Sequence, residues 1–319
     1  MLKTAESVTP KHPDKICDQI SDALLDAYLS VDPMSRVAIE AMGKGNLIYI
    51  AGEVTSTEDI DITNIVKSLP LGLDNCEINL NLTKQSNYIA QGVDTGGAGD
   101  QGIMRGYATS ETELLIPSEV ELARNLAKRI YEIYPYDGKT QVTVEDGRVK
   151  TVVASFQKAK AADLRAIIPK ISPEAEQIFI NPAGDWETGG FVADTGLTGR
   201  KIVIDNYGPQ VPVGGGAFSG KDPTKVDRSA AYMARKIAVD YLRQKGAREV
   251  YVELAYSIGV KKPVQATATI DGAEEIIRGY DLTPQGIIEF LDLRKPQYFK
   301  TAQWGHFGNN FKWDTATVS

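Results

Sequence analysis

The alternation of apolar and polar residues indicates a long helix near the start of the chain. Between Asp14 and Leu29, apolar side chains recur with the helical period, which places them on one face. Pro13 suits the first helical position, and Asp14 lies in the first turn, where the helix dipole favours a carboxylate. The pattern therefore predicts an amphipathic helix. Its apolar positions are Ile16, Ile20, Ala23, Leu24, Ala27 and Tyr28.

Further along the chain, strand patterns occur in runs with helical patterns between them. Ser118 and Glu121 match a capping box at one helix start. The glycine-rich stretches 91–106 and 181–200 are predicted as loops. Because strands and helices do not alternate strictly, we expect an α+β protein with helices on one face of its sheets. The predicted strands are 36–42, 47–54, 76–82, 201–205, 248–260 and 264–270, the predicted hairpin is 140–157 with its turn at Asp146-Gly147, and the predicted helices are 118–134, 224–245 and a last one opening at Thr283-Pro284.

Composition and charge narrow the class of protein. A length of 319 residues predicts two or three domains. A net charge of −7 argues against broad nucleic-acid binding. Cys17 and Cys76 lack zinc-ligand spacing, so we interpret them as core thiols in a reducing cytosol. The segment 1–15 does not resemble a signal peptide, and no apolar run reaches the roughly 18 residues of a membrane span. We therefore predict a cytoplasmic protein without nucleic-acid or membrane partners.

A glycine-rich stretch at 214–227 carries the strongest chemical signal. It combines three consecutive glycines with Lys221, Lys225, Asp222 and Asp227, and a predicted helix follows directly. Glycines let the backbone approach a ligand, and a helix N-terminus favours anions, so the stretch predicts a site for a polyphosphate and its Mg²⁺. The spacing almost matches a P-loop, but Asp222 follows Lys221 where that motif has Ser or Thr. A true P-loop and a purely structural glycine turn stay open as alternatives.

A second signal is the string His12-Pro13-Asp14-Lys15 at the predicted start of the first helix. Taken alone, such a histidine is more often structural than functional. Together with the glycine stretch, the functional interpretation of this string is favoured, because Asp14 and Asp227 could share metal ions. The other histidine, His306, is interpreted as structural.

Two further strings place charge beside glycine-rich loops. Arg200 and Lys201 follow one such loop and precede a predicted buried strand, and ligands often gather at strand ends. Asp100 lies in the loop 97–102, where it could meet a ribose or an ammonium group. The alternative for each is surface charge without function. Lys139, in a turn after Pro135, would alone be interpreted as solvated.

Taken together, these strings resemble S-adenosylmethionine synthetase. The resemblance implies an α+β fold of three similar sheet-and-helix domains around a pseudo-threefold axis, and we place their boundaries at 1–93, 103–188 and 190–319. It also implies homodimers with active sites shared between subunits, often paired into homotetramers. The matching segments occur in family order and are His-Pro-Asp-Lys at 12–15, Gly-Ala-Gly-Asp-Gln-Gly at 97–102, Gly-Leu-Thr-Gly-Arg-Lys at 196–201, Gly-Gly-Gly-Ala-Phe-Ser-Gly-Lys-Asp at 214–222, Tyr-Ser-Ile-Gly-Val at 256–260 and Gly-His-Phe-Gly at 305–308.

The reaction implied by the resemblance joins ATP and L-methionine into S-adenosylmethionine and cleaves the tripolyphosphate to phosphate and diphosphate. It implies Mg²⁺, two ions per site, and K⁺ as cofactors. By the same resemblance, the catalytic residues are His12, Lys139, Arg200, Lys201 and Lys221. The ATP-binding set adds Lys15, Asp137, Trp186, Asp194, Ala217 and Ile258. The methionine-binding set is Glu53, Gln91, Asp100, Asp194 and Lys225, and the metal ligands are Asp14 and Asp227 for Mg²⁺ and Glu40 for K⁺.

The chain departs from the family pattern at several points. Lys11 stands where glycine usually precedes His-Pro-Asp-Lys, and no histidine precedes the triple glycine. The loop between Gln91 and Gly97 is shortened; because this loop gates the site in the family, we expect tripolyphosphate to escape more often before hydrolysis. Two rival functions are a P-loop-like ATPase or kinase, which would turn over ATP without methionine, and an inactive nucleotide-binding relative. All the charged site residues are present, which argues against the second.

Overall fold

The computed structural model describes residues 1–84, 96–171 and 175–317. Within these ranges, strands and helices mix along the whole chain. The strands are β1 (Leu2–Val8), β2 (Arg36–Lys44), β3 (Leu47–Thr55), β4 (Glu77–Thr83), β5 (Gly102–Thr109), β6 (Gly138–Glu145), β7 (Arg148–Phe156), β8 (Gln177–Ile180), β9 (Gly196–Leu197), β10 (Glu249–Tyr256), β11 (Gln265–Ile270) and β12 (Ala273–Ile276). The helices are α1 (Pro13–Val31), α2 (Ile62–Ser68), α3 (Ser118–Tyr131), α4 (Ala161–Ile171), α5 (Gly190–Ala193), α6 (Ile202–Asp205), α7 (Val226–Lys245), α8 (Pro284–Leu291) and α9 (Tyr298–Trp304), followed by a 3₁₀ turn (Lys312–Asp314).

The described strands form three sheets of four strands each. Their orders are β1-β6-β7-β8, β12-β11-β10-β5 and β4-β3-β2-β9. The pairs β3–β4 and β7–β8 are parallel, and the other pairs are antiparallel. Each sheet therefore combines strands from distant parts of the sequence, and β9 brings the segment before Arg200 to the edge of β2.

The two longest helices pack against sheets through the faces that their sequences predict. Helix α1 contacts β2, and α7 contacts β5 and β10. Gly106 of β5 makes the second contact possible, because a Cβ there would lie 2.1 Å from the backbone carbon of Ala234 in α7. The apolar side chains of both helices belong to one continuous core, and a second core lies between α3, α4 and the β6–β7 sheet. Both helices carry site residues at their N-termini, so the core that they share fixes where these residues lie.

Several predictions from the sequence pattern are confirmed. The α+β class is correct, and α1, α7 and the strands β2, β3, β4, β10 and β11 lie where the periodicity places them. The hairpin β6–β7 turns at Asp146 and Gly147, which both have positive φ as its tight turn requires. Gly246 ends α7 in the left-handed conformation. In the part of the chain that the structure describes, no helix is both long and apolar enough to cross a bilayer.

Other predictions are wrong. The segment 201–205 is not a strand but contains the short helix α6, because a brief apolar run fits either state and Asp205 N–H bonds to Lys201 C=O at 2.9 Å. The capping box at Ser118 does not form: Pro117 is the N-cap, and the carboxylate of Glu111 accepts the Ser118 N–H instead. Part of the predicted loop 91–106 is strand β5, and α9 follows the helix expected to be the last.

Candidate active site

The start of α1 gathers several of the predicted site residues. His12 is the N-cap, and its Nδ1 accepts the Asp14 N–H at 3.2 Å. The buried Asp14 carboxylate accepts the Leu197 N–H through Oδ1 at 3.0 Å, and its Oδ2 lies 2.5 Å from Lys201 Nζ. Arg200 Nε lies 3.3 Å from Asp14 Oδ1. One carboxylate therefore holds two cations beside the helix N-terminus.

His12 is neutral at physiological pH in this environment. Its pKa is lowered to about 4, chiefly by burial and then by the positive charges of Lys201 and Lys139, while the carboxylates of Asp14 and Asp194 act in the opposite direction. Because Nδ1 accepts a hydrogen bond, the proton of the neutral ring lies on Nε2. His12 therefore offers an N–H donor rather than a cation.

Lys139 and two aspartates stand around the same helix start. Lys139 on β6 is half exposed, with Nζ 3.0 Å from Oε2 of Glu6 on β1. Asp137 accepts the Gly190 N–H at 3.0 Å, and burial raises its pKa to about 6. Asp194 is exposed at the end of α5. We call His12, Asp14, Lys139, Asp194, Arg200 and Lys201 the first charged group.

The glycine stretch forms a second charged group, made of Lys221, Asp222, Lys225 and Asp227. Lys221 Nζ lies 2.6 Å from Asp227 Oδ2, and Lys225 Nζ lies 2.5 Å from Asp222 Oδ2. Gly220 has φ +81°, and a Cβ there would lie 1.8 Å from the carbonyl oxygen of Ile39, so the chain can turn here only as glycine. The P-loop alternative is wrong, because a helix and a turn, not a strand, precede this stretch.

A cavity of about 780 Å³ opens beside the second charged group. The triple glycine, Asp227, Asp100, Arg105 and Ser257 line it. Its size is within the range of small-molecule sites. Its lining combines the backbone of the triple glycine, which a phosphate can approach, with one cation, Arg105, and two carboxylates, Asp100 and Asp227.

The other predicted site residues differ in their burial and in the contacts that they make. Ala217 packs on Gly199, where a Cβ would lie 2.4 Å from the alanine methyl carbon. Trp186 is half buried, and its Nε1 has no hydrogen-bond partner among the described residues. Ile258 is 54% exposed. Glu40 and Glu53 lie on the neighbouring strands β2 and β3, exposed and half buried respectively. Gln91 and positions 92–95 of the gating loop lie outside the described residues.

The two carboxylates predicted to hold Mg²⁺ belong to different groups. Asp14 pairs with Lys201 and Arg200, whereas Asp227 pairs with Lys221. In the described ranges, no three His, Cys, Asp or Glu side chains gather into a ready-made metal cage. Mg²⁺ often needs only one or two protein carboxylates when substrate phosphates and waters supply its other ligands. The residues present therefore fit a magnesium ion that arrives with a polyphosphate.

Comparison with known proteins identifies the fold and chemistry together. Three family models of S-adenosylmethionine synthetase match in order: the N-terminal domain at 1–91, the central domain at 95–187 and the C-terminal domain at 188–315. The chain belongs to the S-adenosylmethionine synthetase family. Similar relatives include the S-adenosylmethionine synthases of Desulforudis audaxviator, 43% identical over 98% of this chain and 95% of the relative, and of Sorangium cellulosum, 40% identical over 98% and 86%.

Membership of the S-adenosylmethionine synthetase family confirms the enzyme class predicted from the motifs. The chain is a methionine adenosyltransferase that makes S-adenosylmethionine from ATP and methionine. The three-domain organisation is confirmed as well. The individual site residues and the domain boundaries 1–93, 103–188 and 190–319 stay predictions.

One residue carried over from the synthetase resemblance needs correction. Lys15 was expected to contact ATP, but its ammonium is buried. Its Nζ lies 2.6 Å from Asp205 Oδ1 and 3.0 Å from Asp18 Oδ2. Adjacent residues of a helix point in directions about 100° apart, so Lys15 faces the interior when Asp14 faces the site. We assign it a structural role.

Arg105 is a cavity residue that the sequence analysis did not single out. It lies on β5, where its Nη1 donates to the Tyr251 hydroxyl at 2.9 Å and its Nη2 lies 3.5 Å from Glu253 Oε1. The available signal was a single charged residue inside the otherwise apolar strand 102–109. Such a residue marks the solvent-facing side of a strand, but its position beside the triple glycine depends on sheet pairing.

His306 is buried, in agreement with a structural role. Its Nδ1 lies 2.6 Å from the Tyr232 hydroxyl, and its backbone C=O accepts the Trp313 Nε1–H at 2.7 Å. Burial lowers its pKa well below the usual value, and the charge of Arg228 acts in the same direction. The folded protein therefore keeps this ring neutral where an unfolded chain would protonate it.

We expect the His306→Asn variant to be less stable than the wild type at pH 7.5, with a difference that shrinks as pH falls. Below pH of about 6.5, unfolding of the wild type takes up a proton at this ring, which costs about 1.4 kcal/mol of stability per pH unit. The variant lacks that contribution. Urea unfolding at several pH values measures the difference, and a constant difference down to pH of about 5 contradicts the expectation.

Proposed function

We propose that this methionine adenosyltransferase also cleaves the tripolyphosphate to phosphate and diphosphate, with Mg²⁺ and K⁺ as cofactors. The observation that supports the proposal is the charge composition of the two groups. The two groups together contain five cations, Lys139, Arg200, Lys201, Lys221 and Lys225, beside four carboxylates, Asp14, Asp194, Asp222 and Asp227. This concentration of cations, with Mg²⁺ adding positive charge, suits a leaving group with several negative charges, which is then held for a second reaction.

The first step needs alignment and charge stabilisation, not a general base. The methionine sulfur carries no proton, and it displaces tripolyphosphate from C5′ of ATP as a neutral nucleophile. Negative charge then develops on the departing oxygen, and preorganised donors stabilise it. Neutral His12 would donate its Nε2–H to this oxygen, and Arg200 and Lys201 would hold the phosphates, since both already hold the carboxylate of Asp14.

The second charged group would hold the far end of the phosphate chain. Asp227 lines the cavity beside the triple glycine, and Lys221 Nζ lies 2.6 Å from its Oδ2. Lys225 and Asp100 are proposed for the methionine carboxylate and ammonium, with Glu53 and Gln91 as further methionine residues. Trp186, Ala217, Ile258, Asp137 and Asp194 are proposed around the nucleoside.

The metal proposals have different support. Asp14 and Asp227 would each provide one oxygen ligand to an ion bound mainly by phosphates, and Mg²⁺ would supply charge neutralisation there. Glu40 is an exposed carboxylate on β2, and K⁺ binding at this position rests on the family resemblance alone.

In a homodimer with shared active sites, each site would combine the first charged group of one subunit with the second charged group of the other. In the described residues, the ion pairs of Asp14 and of Asp227 have no member in common. Exposed apolar side chains on the sheets, among them Met42, Tyr49 and Leu80, offer a surface that a second copy would cover. We propose this dimer, with a homotetramer as a larger assembly. Because Cys17 and Cys76 are free thiols, we also propose the cytoplasm as its compartment.

The experiment that tests the function incubates the protein with ATP, methionine, Mg²⁺ and K⁺. Mass spectrometry detects the sulfonium product, and phosphorus NMR counts phosphate, diphosphate and tripolyphosphate. We expect one phosphate and one diphosphate for each S-adenosylmethionine formed. Accumulation of tripolyphosphate alone contradicts the proposed hydrolysis, and ATP turnover that does not depend on methionine contradicts the whole reaction. Omitting Mg²⁺ or K⁺ tests each cofactor.

A further inference from the structure

Helix α1 carries aspartates at four-residue intervals, and we call Asp14, Asp18, Asp22 and Asp26 the aspartate row. Four residues are slightly more than one helical turn, so the row follows one face of the helix. The first three carboxylates are buried and the fourth is half buried. Burial of a carboxylate is costly unless hydrogen bonds and opposite charges compensate it. The hydrogen-bond and ion-pair partners of these carboxylates therefore indicate the function of the aspartate row.

Asp18 holds the segment that carries Arg200 and Lys201. Its Oδ1 accepts the Gly199 N–H at 2.8 Å, which fixes the backbone just before Arg200. Lys15 lies 3.0 Å from Asp18 and extends the contact to Asp205, which ends α6 four residues after Lys201. Ser21 adds a hydrogen bond of 2.8 Å to the Thr198 hydroxyl of the same segment.

Asp22 holds the segment that carries Lys221. Its Oδ1 accepts the Gly220 N–H at 2.9 Å. Its carboxylate also receives two hydrogen bonds from Arg228, at 2.7 and 2.9 Å, and Arg228 Nη1 donates to the Lys221 carbonyl at 3.1 Å. The backbone on both sides of the Lys221 side chain is thereby tied to α1.

We propose that Asp18 and Asp22 are positioning residues, which place the first and the second charged group against one rigid helix. The proposal rests on the function proposed above. The rise from Asp18 to Asp22 is about 6 Å along the helix axis, and packing in the core prevents α1 from shifting. A misplacement of about 1 Å can reduce a rate by about 10²-fold, so anchoring at this precision matters for displacement chemistry.

Asp26 provides the matched control within the same row. Its carboxylate accepts the N–H groups of Gln297, Tyr298 and Phe299 at 2.8, 2.9 and 2.8 Å, so it anchors the start of α9. None of these residues belongs to either charged group. Asp26→Asn therefore removes a charge of the same kind from the same helix without touching the segments that carry Arg200, Lys201 or Lys221.

The experiment compares the full-length wild type with Asp18→Asn and Asp26→Asn in steady-state synthesis of S-adenosylmethionine. We expect Asp18→Asn to lower kcat at least about tenfold while KM for methionine changes by less than about twofold, because ground-state methionine binding does not use Arg200 or Lys201. We expect Asp26→Asn to keep kcat within about twofold of the wild-type value, even if its melting temperature falls by as much as that of Asp18→Asn. Equal losses of kcat in both variants, or a retained kcat in Asp18→Asn, overturn the proposal.

Two further measurements keep the outcome clear. If Asp18→Asn does not fold, Ser21→Ala replaces it, with an expected loss of kcat of about threefold or more and unchanged KM for methionine; a kcat within about twofold of the wild type overturns the proposal. The wild type is assayed in parallel. An inactive wild type contradicts the proposed function, whereas an active wild type with an unaffected Asp18→Asn variant contradicts only the positioning role.

Discussion

Replacing Lys221 by alanine lowers the rate of S-adenosylmethionine formation by about 10²–10³-fold, as removal of one preorganised charge-stabilising donor typically does. Lys221 Nζ lies 2.6 Å from Asp227 Oδ2 at the end of the glycine stretch. Its loss leaves the Asp227 carboxylate without this cation at the site proposed for the polyphosphate, so repulsion would add to the lost attraction. Initial rates at saturating ATP and methionine measure the effect.

The lysine at the C-terminal end of α7 provides the control for Lys221, which lies in the glycine stretch before that helix. Lys245 is in the last turn of α7 and pairs with Glu275 on the surface. Exposed ion pairs contribute little to stability, so Lys245→Ala should keep the wild-type rate within about twofold. A near-normal rate in Lys221→Ala, or an equal loss in Lys245→Ala, contradicts the assignment of Lys221 to the site.

Mixing two inactive variants restores activity if the active sites are shared between subunits. Lys201→Ala removes a cation from the first charged group, and Lys221→Ala removes one from the second. In a dimer with one variant of each kind, one shared site carries both defects and the other carries none. Half of randomly paired dimers are mixed and half of their sites are intact, so we expect about a quarter of the wild-type rate.

The controls for mixing separate shared sites from independent ones. Two differently tagged copies show by co-purification that subunits have exchanged. The double variant Lys201→Ala, Lys221→Ala mixed with itself should stay inactive. Exchange without recovery means that each site uses both charged groups of a single chain, which contradicts the proposed dimer.

Local patterns predicted the helices that carry the site, but not how their ends are made. The face of α1 follows from apolar spacing, because a helix repeats every 3.6 residues whatever its neighbours are. The capping box at Ser118 failed because Glu111, seven residues earlier, competes for the same N–H in the folded chain. The segment 201–205 failed because a run of three apolar residues fits a strand or a helix, and its state depends on contacts elsewhere.

The sequence did not predict which charged residues are buried. Lys15 stands beside Asp14 in a motif of charged residues, yet its ammonium is buried between Asp18 and Asp205. Asp205 is 190 positions away from Lys15. Nothing in local composition distinguishes a cation that binds substrate from one that neutralises carboxylates inside the protein. Arg105 shows the converse, since sheet pairing brings an inconspicuous strand residue to the cavity wall.

By itself, the sequence determined the α+β class, the main helices, the ordered motifs and hence the family and its reaction. These depend on short-range periodicity and on motifs, and both can be recognised in the sequence without coordinates. Only the tertiary structure decided that the charged residues form two groups, that Asp222 is turned to the N–H groups of Val37 and Thr224, and that the aspartate row anchors both groups. The physical reason is that hydrogen bonds to buried carboxylates join segments about 180 to 200 positions apart, and chain topology alone determines which of them meet.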